Sequence, residues 1–169
     1  MFGKQLWDHA FGQNDTTCAK HLFGQPQTEM TSDDYYTPKW VFDTLDLEFD
    51  LDVASPPSGP PFVPCKRYFT KEDDGLAQDW FGRVWMNPPF SKTQPWIERF
   101  LEHGNGVALI PSSNGAWFDM LWQSEAALTI GPKKFDFVNG SGHGIPRRIH
   151  FAALGDENVA AISRLGIIR

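Results

Sequence analysis

Cysteine is scarce in this chain: Cys18 and Cys65 are the two among 169 residues. Two thiols cannot build a disulfide framework, which excludes the small stapled secreted scaffolds. Cys18 and His21 are spaced like half a zinc site, but no second pair follows, so no metal is expected. Long apolar runs are missing too, which argues against a helical membrane span. No secretory signal is visible, so the expected location is the cytoplasm. Repeats and low-complexity tracts are absent, and with them the solenoid architectures.

Positive charge is also in short supply. Lysine and arginine total 15 against 21 acids, a net charge of −6. A uniformly basic nucleic-acid binder is therefore excluded. The distribution is uneven, however. Residues 29–82 carry twelve acids and four bases, whereas Lys133, Lys134, Arg147, Arg148, Arg164 and Arg169 face three acids over 131–169. Local field rather than net charge governs contact with a polyanion, so the C-terminal part keeps that possibility open.

What is abundant is aromatic surface, 14% of residues including seven Trp and fourteen Phe. Most of these rings are expected in a core, and the length suits one domain. Residues 1–30 mix Gly, Gln, Asn and Thr with Trp7, Phe11 and Phe23, and read as an arm before a single domain over 31–169.

Along that domain, Thr37 reads as a helix N-cap and Pro38 as the first helical residue. Trp40, Val41, Leu45 and Leu47 form the expected buried stripe. EFDLDVAS reads as a strand ending near Ala54 and Ser55, and the PPSGPPFVP that follows must be irregular. RVWM is a short strand halted by Asn87-Pro88-Pro89. PWIERFLEH reads as a helix ended by Gly104, GVALIP as a buried strand, GAWFDMLWQSEA as a helix and LTIG as a strand. KFDF alternates like a strand. The loop NGSGHGIPRR and a strand over 149–154 follow. Strands alternating with helices predict an α/β fold, mostly parallel, with reduced helices and a C-terminal antiparallel hairpin. Ligands in such sheets gather at the carboxyl ends of strands, where DVAS, NPPF and IPSS fall.

NPPF has a chemistry of its own. Proline lacks an N–H, so the turn offers carbonyls without competing donors, and the Asn87 side chain adds another acceptor. Phe90 can cover that space with a flat face. The complementary guest is a planar ring with an exocyclic amine, adenine or cytosine, which must leave a duplex to reach the turn. Stacking repays about 1–3 kcal/mol of the unstacking cost.

Trp85-Met86-Asn87-Pro88-Pro89-Phe90 resembles the motif of amino-group DNA methyltransferases. With YTP at 36–38, LDVAS at 51–55, GLAQDW at 75–80 and the late KFDF, the chain resembles the small phage-type DNA N-6-adenine methyltransferases from about Tyr35 to Leu154. The resemblance implies a Rossmann-like methyltransferase sheet, S-adenosylmethionine as donor and DNA as substrate, in the host cytoplasm if phage-encoded. It implies that Asn87 and the Pro88 carbonyl hold the adenine N6 amine, with Pro89 completing the turn and Phe90 stacking on the flipped base. Asp52, Ala54 and Ser55 would meet the donor's methionine moiety, and Tyr36, Thr37 and Pro38 would close over it. Asp79 and Trp80 would hold its adenine.

The family's glycine-rich loop is replaced here by SPPSGPP, and the acid for the ribose is sought at Asp73 or Asp74. Target reading falls to residues 1–30, to 56–72 or to the NGSGHGIPRR loop. Lys92, His143, Arg147 and Arg148 are the expected phosphate contacts. Two alternatives stand beside adenine-N6 transfer: the same chemistry on cytosine N4, and a non-catalytic DNA-binding or decoy protein with a decayed cofactor site.

Overall fold

The computed structural model describes residues 36–132, 135–138, 148–166 and 168. All belong to the unit Thr31–Arg169. The arm at 1–30, the Cys18–His21 pair, His143, Arg147 and most of the glycine-rich loop lie outside the described residues.

Six strands form one sheet: β1 Phe49–Asp52, β2 Cys65–Tyr68, β3 Val84–Met86, β4 Gly106–Pro111, β5 Ala127–Ile130 and β6 Ile149–Leu154, in the order β2-β1-β3-β4-β6-β5. The first four strands run parallel, and β6 runs antiparallel to both β4 and β5. This is the expected α/β sheet. The antiparallel partner of β6 on the outer side is β5, not the KFDF segment. Residues 135–138 carry a single bridge, Tyr36 to Val138, and bury Phe135 and Phe137. Their alternation is real, but it fits a strap lying on the core rather than a strand in the sheet.

Alternation along β3, β4 and β6 sends Trp85, Val107, Leu109, Phe151 and Ala153 to one face of the sheet. Helices α1 (Lys39–Leu45) and α4 (Asp156–Ile162) cover that face through Val41, Phe42, Leu45 and Ile162. Val84, Met86, Ala108, Ile110 and Ala152 face the other way. There α2 (Thr93–His103) and α3 (Ala116–Gln123) pack through Trp96, Ile97, Phe100 and Leu121. Gly104 closes α2 at φ 75°, a conformation cheap only for glycine.

Three expectations for α1 are corrected. Pro38 sits before the helix at φ −67° and ψ 147°, so the first helical residue is Lys39. Thr37 accepts no capping bond; its hydroxyl is buried without a partner. Trp40 is 42% exposed, and Phe42 takes the inward place assigned to it.

Parallel neighbours need a crossover of about a dozen residues, usually a helix. Between β1 and β2 that crossover is residues 53–64, and it contains no helix. Prolines forbid one, so the connection stays as an irregular wall over the sheet's edge. From β1 the chain leaves to β2 on one side, while β3 lies on the other. The strand order therefore reverses between β1 and β3, and a crevice opens beyond their carboxyl ends.

Candidate active site

That crevice is a cleft of about 580 Å³. Its floor is the end of β1 and the start of the β3 turn: Asp52, Val53, Ala54 and Ser55 on one side, Trp85, Asn87 and Pro89 on the other. Tyr36 and Thr37 form one wall. Pro56, Pro57, Pro60, Pro61, Phe62 and Val63 form a second, and Thr70, Lys71, Asp74, Gly75 and Trp96 a third, with Ser91 and Lys92 at the rim. The volume falls within the usual range for a small-molecule site, about 300–1,000 Å³.

The cleft holds polar groups that the protein itself does not satisfy. Asp52 is 3% exposed, and its Oδ1 accepts a single bond, from the Ala54 N–H at 3.1 Å. Desolvation pushes its carboxyl up to about 7, a rise that the Ala54 bond only partly offsets. The Thr37 and Ser55 hydroxyls are buried and have no hydrogen-bond partner. A buried polar atom without a partner costs roughly 1–3 kcal/mol, so this group is costly unless a ligand engages it. Cys65 stands close enough for the Asp52 charge to raise its thiol, although burial is the larger cause, and together they push it to about 11.

The catalytic-turn candidates are held tightly. Lys92 N–H donates to the Pro89 carbonyl at 3.1 Å, closing a single 3₁₀ turn over Phe90–Lys92. Thr93 Oγ1 donates to the Phe90 carbonyl at 3.3 Å. Trp85 lies beneath, edge-on to Phe42 at 4.8 Å and Phe49 at 5.6 Å. The Phe90 ring leans edge-on against Phe137 at 5.9 Å. Tyr36 and Val138 exchange two backbone bonds of 2.9 Å. One short segment thus touches both the turn and the cleft wall.

Of the residues singled out from sequence, Tyr36, Thr37, Asp52, Ala54, Ser55, Asn87, Pro89 and Lys92 share this cleft. Pro38 and Pro88 are buried, and Phe90 is half-buried at the end of the turn, edge-on to Phe137; none of the three lines the cleft. Asp79 and Trp80 do not join them. Asp79 is exposed, and Trp80 is core: its Nε1–H donates to the Gly75 carbonyl at 2.7 Å and its ring stacks on Trp96 at 6.2 Å. Arg148 is exposed at the start of β6. Asp74 lines the cleft, whereas Asp73 is turned onto the Thr70 N–H and hydroxyl, which lower its carboxyl.

Sequence reasoning missed Phe62, Thr70, Lys71, Gly75 and Trp96 as cleft residues. Segment 56–72, one of three places considered for target reading, contributes Pro56, Pro57, Pro60, Pro61, Phe62, Val63, Thr70 and Lys71 to the cleft. Gly75 carried a usable signal. An added Cβ there would lie 2.1 Å from the Val53 carbonyl oxygen, so only glycine lets the third wall approach the floor.

The family model described as DNA N-6-adenine-methyltransferase (Dam) matches residues 25–148. A DNA N-6-adenine-methyltransferase of Haemophilus phage HP1 (strain HP1c1) is 30% identical over 115 residues, covering 61% of this chain and 65% of the relative. One of Escherichia phage T1 is 28% identical over 116 residues, covering 62% of this chain and 47% of the relative. The chain thus spans about half to two thirds of the length of the relatives it matches. No solved structure matches it.

Proposed function

Because the chain belongs to the DNA N-6-adenine-methyltransferase (Dam) family, we propose that it moves a methyl group from S-adenosylmethionine to the N6 amine of adenine in DNA. The observation that carries this reading is the meeting, in one cleft, of the Asn87-Pro88-Pro89 turn with a buried, under-satisfied acid and two orphaned hydroxyls.

Those groups fit the donor's methionine end. Asp52 complements an ammonium, and the Thr37 and Ser55 hydroxyls can donate to a carboxylate. Asp74, at the third wall, suits ribose hydroxyls. Pro56, Pro57, Pro60, Pro61 and Phe62 supply apolar surface for a purine. When bound, the donor supplies a sulfonium-activated methyl group as the electrophile.

The protein's own part is positioning and dipoles. Asn87 Oδ1 and the Pro88 carbonyl accept the two hydrogens of the target amine, which leaves the nitrogen lone pair directed into the cleft. The same oxygens stabilise positive charge growing on that nitrogen. The methylated amine, positively charged, then loses a proton to water at the open mouth of the cleft, while Asn87 Oδ1 keeps accepting a hydrogen bond from the N–H that remains. Phe90, braced by Phe137, covers the extruded base and repays part of its unstacking.

The test is incubation of unmodified DNA with methyl-labelled donor, digestion to nucleosides and identification of the product. N6-methyladenine supports the reading. N4-methylcytosine moves it to the other amine, and no label together with no heat of donor binding removes it.

A further inference from the structure

Helix α3 is aromatic, yet only Leu121 of it is buried. Trp122 is 46% exposed and Met120 37%. Trp117 and Phe118 are half-buried against the core, so Trp122 is the ring of α3 that offers most surface to water. The rings are also ordered. Phe118 and Trp122, one helical turn apart, stack at 6.4 Å with 21° between planes. Trp117 meets Phe118 edge-on at 5.8 Å. On its other side Phe118 leans over His150 at 5.2 Å, and His150 Nε2 is held by the Ser112 hydroxyl at 2.9 Å. The file His150–Phe118–Trp122 therefore runs outward from the sheet.

Its inner end lies at the same edge as the catalytic turn. Ser112 N–H donates to the Arg148 carbonyl at 2.9 Å, so exposed Arg148 stands where β4 ends and β6 begins. Strand β4 is the direct neighbour of β3, and β6 is the next strand over. At about 4.8 Å per strand, the foot of the ridge is about 10 Å from the turn. That equals roughly three stacked nucleotides at 3.4 Å each. Arg148, two residues before His150, is exposed at the foot of the ridge and supplies its positive charge.

We propose that Phe118 and Trp122, seated on His150 and flanked by Arg148, form a stacking ridge for unpaired bases of the DNA strand next to the target adenine. Rings give sequence-tolerant affinity and Arg148 a phosphate contact. The inference rests on the methyltransferase reading for its direction along the strand, and its test is built to separate the two.

Binding of a fluorescein-labelled single-stranded oligonucleotide is measured without donor for the full chain, Trp122→Ala, Trp122→Phe and Phe118→Leu, with circular dichroism to confirm folding. Trp122→Ala is expected to weaken binding about tenfold, and Trp122→Phe to restore most of it. In labelled-donor assays the KM for DNA should rise by a similar factor while kcat and the donor Kd hold. Unchanged oligonucleotide binding in both Trp122→Ala and Phe118→Leu overturns the ridge even if adenine is methylated. So does loss of self-association in sedimentation with DNA affinity intact, which would make α3 a contact between copies. Wild-type protein that binds the oligonucleotide through Trp122 but neither methylates DNA nor binds donor sinks the methyltransferase reading and spares the ridge.

Discussion

Asp52 and Trp85 are register partners across the β1–β3 seam, and Asn87 follows Trp85 by two residues. The acid and the proline turn are thus carried on adjacent strand ends, so neither can shift without dragging the sheet. On the proposed reading, this seam would set the spacing between the donor's charged end and the turn that takes the base.

Replacing Asn87 by Ala removes one acceptor from the turn and leaves Asp52, Thr37 and Ser55 untouched. The expected loss is about 100- to 1,000-fold in kcat, the usual effect of deleting one preorganised polar group. Calorimetry should show donor binding unchanged. Full turnover in Asn87→Ala would remove the turn from the chemistry.

Asp52 gives a pH prediction with a definite sign. Its carboxyl moves from 3.8 to about 7 on folding, so the folded protein holds a proton that the unfolded chain releases. The associated stability is fully present below pH 3.8 and is lost as pH rises to about 7. At 1.36 kcal/mol per pH unit the loss is on the order of 4 kcal/mol. Asp52→Asn should flatten this dependence, raising the Tm at pH 8 more than at pH 5. The same variant should bind S-adenosylmethionine poorly at every pH.

The wild-type affinity should follow the ionised carboxylate. Donor binding is expected to strengthen about fivefold from pH 6 to pH 7, about tenfold by pH 8, and to level off above that. A titration flat between pH 6 and pH 8 in wild type would show that Asp52 does not meet the donor's cation.

Gly75→Ala places a methyl group against the Val53 carbonyl and the Trp96 ring. The third wall must retreat, at a cost of about 1–3 kcal/mol of stability. Donor affinity should fall as well, because Gly75 and Asp74 share that wall. Urea unfolding and calorimetry on one preparation check both.

A control lies at the opposite end of the sheet. Asn158 is 1% exposed; its Oδ1 accepts from Arg83 Nε at 2.7 Å, and its Nδ2 donates to Asn105 Oδ1 at 2.8 Å and the Leu154 carbonyl at 2.7 Å. Asn158→Ala strands these partners and should cost about 1–3 kcal/mol. Because none of them lines the cleft, kcat should be unchanged below the melting range.

The strands legible in the sequence are those whose apolar runs the sheet buries on both faces, above all GVALIP. Strand β2 was not legible because it is an edge: Cys65-Lys66-Arg67-Tyr68 pairs with β1 alone and stays largely exposed, so no burial pattern marks it. Helix α4 hid behind Gly155 and two opening acids, although Asp156 and Glu157 are where a helix N-terminus favours negative charge. In the cleft, residues that end strands could be read because strand ends are where such folds bind ligands. Phe62, Lys71 and Gly75 come from crossovers, and only the three-dimensional path of a chain reveals what a crossover passes over. Trp80 misled for the same reason: an indole in a motif and an indole in a core look alike until the partner of its N–H is known.

The proline wall between β1 and β2 has a thermodynamic corollary. Pro56, Pro57, Pro60 and Pro61 have little backbone freedom even in the unfolded chain, so ordering this rim forfeits little. A glycine cradle would tighten around its guest and show that as an entropic penalty on association. A wall of pyrrolidine rings is a mould already set, and on the proposed reading it would discriminate among donor analogues by shape before any methyl group moves.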